Sequence, residues 1–179
     1  MTQIDVYKGV PSPFWTFSLD VYGRPGVPPA CLALQDLGGA DVNVVLFSLF
    51  LGRSGRAIDA RDAGRIAETI EPWRAGIVAI LRQARRALKE PPVPFEGPAV
   101  DLLRKNVKAA ELESERIQQE MLFVSFPRET TGESESDLAK ACAQNIEAYR
   151  RCLGAEFDAK AVAVLLEAAG QTDIREASK

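Results

Sequence analysis

Between Phe14 and Gly52 the chain reads FWTFSLDVYGRPGVPPACLALQDLGGADVNVVLFSLFLG. The text is mostly apolar, with Ser18, Gln35, Asp41, Asn43 and Ser48 set singly among hydrophobic neighbours. A segment of this kind belongs at the centre of a core, where each polar group needs a partner. Ser12 followed by Pro13 is an N-cap with a first-turn proline, predicting a short helix through Tyr22 that Gly23 and Pro25 end. Pro28-Pro29 opens a second short helix, stopped by Gly38-Gly39. Asp41 then stands at the N-cap position of a third, running to about Gly52, whose faces are apolar nearly all round.

Farther on the period remains helical. Asp59 caps a helix over 60–71, and Pro72 predicts a kink or break before another over 72–89. The stiff loop PPVPFEGP (91–98) leads into the longest helix, 98–125, roughly 40 Å at the ordinary rise. Leu103, Val107, Ala110, Ser114, Ile117, Met121 and Val124 recur along it at alternating spacings of four and three. Ile77, Leu81, Ala84 and Leu88 offer a matching stripe, so the two helices are expected to form an antiparallel hairpin. Residues 127–137 read as a polar loop, 136–153 as a helix with Asn145 on its seam, and Asp158 as the cap of a last helix to 169. The expectation is a single all-α domain over 1–179, a bundle of about seven helices with frayed termini (1–10 and 171–179).

Composition narrows the chemistry. The 179 residues include no histidine, which removes the usual base near neutral pH, the Ser-His and Cys-His pairs, and the commonest zinc and iron ligand. Cys31, Cys142 and Cys152 have no ligand spacing and read as small buried hydrophobes in a reducing compartment. No metal or cofactor is therefore expected. A net charge of −3 gives nucleic acid no attraction. The longest apolar run, Val42–Leu51, is too short for a membrane span, and the N-terminus lacks a signal-peptide pattern, so a cytoplasmic location is expected.

Candidate functional residues fall into three groups. Phe14, Trp15, Phe17, Tyr22, Phe47 and Phe50, with the amides of Gln35 and Asn43, could line a pocket for an apolar ligand. Asn43 and Asn145 equally suit backbone satisfaction and seam register, and Asp41 suits a plain cap. Arg53 and Arg56, beside a Gly-rich turn entering a helix, could hold an anion, although such a turn is more often only solvated. From Arg74 to Lys108 the chain has 8 basic and 3 acidic residues, which gives the hairpin a basic tip bearing Arg82, Arg85 and Arg86 and suits an acidic protein partner. The acidic pairs Asp59/Asp62, Glu68/Glu71 and Glu111/Glu113/Glu115 sit among arginines at helical spacing and read as surface salt bridges.

The segments FWxFSLxxY (14–22), GVxxxCLxLQ (26–35) and GxDVNxxLFxLFLG (39–52) resemble the hallmark of a family of small, uncharacterised, chiefly proteobacterial proteins. That resemblance implies a helical cytosolic domain and brings no activity, ligand or catalytic residue with it. The leading expectation is a non-catalytic interaction or adaptor protein, the alternative a small-molecule binder with an aromatic-lined pocket. An enzyme using carboxylates ranks third.

Overall fold

A computed structural model describes residues 11–126 and 134–172. Every regular element among them is helical: α1 (Pro13–Tyr22), α2 (Val27–Gly38), α3 (Val42–Arg53), α4 (Ala60–Trp73), α5 (Ala79–Ala87), α6 (Pro98–Ser125), α7 (Glu135–Leu153) and α8 (Ala159–Gly170). The caps foreseen at Ser12, Asp41, Asp59 and Asp158 all form, each side chain accepting from a first-turn amide. Gly39, at φ +65°, closes α2 in the left-handed conformation that glycine tolerates. Most of the loop expected at 127–137, and nearly all of both termini expected to fray, lie outside the described residues.

α3 is the axis of the bundle. Every residue from Asn43 to Arg53 is buried, and α1, α2, α4, α6, α7 and α8 all pack around it. Its closest neighbour is α7. A Cβ on Gly52 would stand 2.5 Å from the backbone nitrogen of Cys142, so only glycine permits this approach. Phe14 and Phe17 of α1 meet Phe47 and Phe50 of α3 with ring centroids 4.8–5.5 Å apart, a spacing typical of attractive aromatic pairs. Asn145, fully buried on α7, donates to Ser48 O (3.0 Å) and Arg56 O (2.8 Å) and accepts from Ile58 N (2.8 Å). It pins the end of α3 and the following turn to α7, a structural role for this seam amide.

Three expectations need correction. Pro72 does not break the chain: α4 runs through it to Trp73, and a π-helical turn (Arg74–Val78) joins α4 to α5. Proline removes one intrahelical bond and crowds the preceding turn, and the wider turn that follows carries the chain on as one continuous helix. Counted that way, the described bundle has seven helices. The hairpin of α5 and α6 is antiparallel, but its stripes are not sealed together. Ile77 and Leu103 are 39% and 50% exposed, while Glu111, Ser114, Gln118 and Gln119 of α6 face inward. Glu111 and Gln119 are buried because each finds a partner there, described below, and Ser114 Oγ donates to Glu111 O (2.7 Å). Cys152 is exposed on the last turn of α7, whereas Cys31 and Cys142 are buried as foreseen.

Candidate functional site

α1 presents two faces. Phe14, Phe17, Ser18 and Val21 turn into the core, while Trp15, Leu19 and Tyr22, three and four residues apart, form a second stripe. That stripe, with Leu32 and Gln35 of α2, makes one wall of a cleft of about 480 Å³. The opposite wall comes from the hairpin: Arg74, Arg82, Arg85 and Arg86 on the α5 side, and Lys108, Glu111, Leu112 and Glu115 on α6. The floor is the start of α3, where Asp41, Asn43 and Leu46 line the cleft from below. One wall is thus largely apolar and the other ionic, and the volume suits a small organic molecule.

The floor is held by a chain of amides. Ser18 Oγ donates to Gln119 Oε1 (2.6 Å), and Gln119 Nε2 donates to Asn43 Oδ1 (2.7 Å). This fixes the Asn43 amide with its oxygen engaged, while its Nδ2 has no acceptor among the described residues. Gln35, expected to be buried and bonded, is half-buried, and its side chain makes no hydrogen bond among the described residues. It looks onto the cleft from an exposed turn of α2, where solvent or a ligand can satisfy it.

Asp41 caps α3, its Oδ1 accepting from Asn43 N (2.8 Å) and Val44 N (3.3 Å), with Gln118 Nε2 at 3.4 Å. Burial raises its pKa, against the lowering effect of those amides. Its own N–H donates to Tyr149 Oη (2.9 Å), which ties α7 to the cleft floor. Burial also raises the pKa of Glu115 and Tyr22, and pushes the Cys31 thiol up to about 12, so that this thiol is not a nucleophile.

The ionic wall is preorganised. Arg82 bonds Glu111 (3.0 Å) and Glu115 (2.5 Å), and Arg85 bonds Glu111. Burial works to raise the pKa of Glu111, but Arg85 and Arg82 outweigh it and hold the carboxyl below its usual value. The like charges expected to crowd the tip are therefore partly offset within the chain. Arg74 pairs with Glu71 (2.6 Å). Arg86 and Lys108 have no ion-pair partner among the described residues.

The sequence candidates thus part company. Trp15, Tyr22, Gln35, Asn43, Arg82, Arg85 and Arg86 meet at this cleft, while Phe14, Phe17, Phe47 and Phe50 pack in the core beneath it. Arg53 sits at the other end of α3, bonded to Glu135 of α7, and Arg56 follows in the same turn. Sequence reasoning missed Gln119, Glu111 and Glu115 as elements of the site. Gln118-Gln119-Glu120 within an otherwise amphipathic helix was the signal available. Among the described residues no group of three or more Cys, Asp and Glu side chains is arranged to hold a metal ion. No single helix there is long and apolar enough to cross a membrane, and α3 is the buried axis of the bundle.

A family model described as a protein of unknown function (DUF2390) matches residues 13–122, which span every residue of the cleft. No curated protein and no solved structure matches the chain.

Proposed function

We propose, for a chain that belongs to this family of proteins of unknown function (DUF2390), that it binds a small amphipathic molecule in the cleft between α1–α2 and the α5–α6 hairpin. The observation that carries the reading is the Asn43 amide on the cleft floor, oriented by Gln119 and Ser18, with no acceptor for its Nδ2 among the described residues. An acceptor on the ligand would take the place of solvent at this amide, whose orientation is already fixed. The stripe of Trp15, Leu19 and Tyr22 supplies apolar contact beside it. The acidic-partner reading has less behind it, because Glu111 and Glu115 already engage two of the three arginines assigned to the basic tip.

The chain has two tryptophans, and only Trp15 lines the cleft; Trp73 is engaged with Ser114 O on α6. In a Trp73→Phe protein, titration with the neutral probe phenylnaphthylamine should therefore give energy transfer from Trp15. Adding Leu32→Glu and Leu112→Glu, both at half-exposed positions on the cleft walls, should weaken that transfer at least about tenfold by placing charge on the apolar contact. No saturable transfer, or transfer indifferent to the glutamates, sinks the reading.

A further inference from the structure

The distribution of charge across the cleft says what kind of molecule it takes. Within the hairpin wall, Arg82, Arg85, Arg86 and Lys108 stand against two carboxylates, Glu111 and Glu115. The carboxylates consume the Nε and one Nη of Arg82, and the Nε and one Nη of Arg85. Each guanidinium retains its other Nη with no acceptor among the described residues, and is held in place by the same bonds that leave it so. Arg86, four residues beyond Arg82, and Lys108, three before Glu111, have no ion-pair partner there and lie toward the loop that joins the two helices. Asp41 on the floor accepts from the amides of Asn43 and Val44, and its charge is offset by Arg74, the fifth cation of the lining. The wall therefore carries an excess of two positive charges and several oriented donors, facing an apolar wall.

We infer that the ligand carries an anionic head, a carboxylate or a phosphate, seated on Arg86 and Lys108 with the spare donors of Arg82 and Arg85. Its apolar body lies against Trp15, Leu19 and Leu32. This inference rests on the cleft being a ligand site and goes beyond it in fixing the sign of the head. A cationic head would meet the excess charge unfavourably, and a wholly apolar ligand would leave the donors idle. Charge-assisted bonds of this kind support at least about a tenfold preference for the anion.

A matched pair of probes tests this: phenylnaphthylamine, and anilinonaphthalene sulfonate, which adds an anionic group to the same skeleton. The sulfonate should bind at least about tenfold more tightly, and the ratio of the two dissociation constants should fall close to one in Arg86→Gln/Lys108→Gln. Both residues are exposed, and a thermal melt of the double variant checks that the fold persists. The preference should shrink with added salt, since exposed charges are screened within about 10 Å at ordinary ionic strength. Dodecanoate and dodecyl phosphate, competed against dodecanol, then tell a carboxylate head from a phosphate head. A ratio near one in the unmodified protein, a ratio untouched by the double variant, or neither anion outcompeting dodecanol each overturns the inference. If the neutral probe itself fails to bind the cleft, it is the binding reading that falls, and the two failures are distinct.

Discussion

Replacing Gly52 by alanine sets two effects of opposite sign against each other. In an exposed helix the change gains about 1 kcal/mol, because alanine is the better helix former. At Gly52 the added methyl would stand 2.5 Å from Cys142 N and 2.6 Å from Cys142 Cα. Both are backbone atoms of α7, so no rotamer change relieves the contact, and the helices must part by about 1 Å to reach ordinary van der Waals spacing. Overpacking in a well-filled core costs about 1–3 kcal/mol, and a shift between the two central helices belongs at the upper end. The net expectation is a loss of about 2 kcal/mol, or about 4–8 °C in Tm for a chain of this size. Gly76→Ala is the control: it lies in the π turn with nothing within 4 Å of its added Cβ, and should gain about 0.4–1 kcal/mol. Urea denaturation of both variants reads the difference directly. A Gly52→Ala protein as stable as the parent would refute the close approach of α3 and α7 as described.

Asn145→Ala strands the buried amide of Ile58 and the carbonyl of Arg56, and should cost about 2–4 kcal/mol in denaturant titration; a loss below about 1 kcal/mol would mean that water replaces the amide. Asp41→Asn keeps the helix cap and removes a buried charge. Burial makes the native state hold the Asp41 proton more tightly than the unfolded chain does, so the Asp41 contribution to stability is greatest below the ordinary carboxylate pKa. It declines as pH rises from there through the raised native pKa and is flat above. The variant should therefore gain on the parent across that window, and stability curves that stay parallel from pH 4 to 7 would contradict it.

Local chemistry was legible in the sequence and long-range pairing was not. The caps at Ser12, Asp41, Asp59 and Asp158 depend on residues within one turn, and all form. The buried axis showed itself because Val42–Leu51 has no polar face to offer solvent. The inward face of α6 was misjudged because a hydrophobic stripe is visible along a helix, whereas the partners that let Glu111 and Gln119 be buried lie 26 and 76 residues away. The aromatic lining was half legible: all six rings were singled out, but the face each takes depends on α1 resting on α3 with Phe14 down and Trp15 sideways.

α5 contributes no buried residue of its own; the hairpin is joined to the bundle through the π turn and the inner half of α6. Elements with few buried contacts open at lower free energy than the core they flank. The ionic wall of the cleft is therefore carried by a part of the fold that opens more easily than the apolar wall opposite. A ligand bridging the two adds its binding free energy to that weaker part, by an amount set by its concentration relative to Kd. Under the proposed binding, order in the hairpin then becomes a measure of how much of the cleft is occupied.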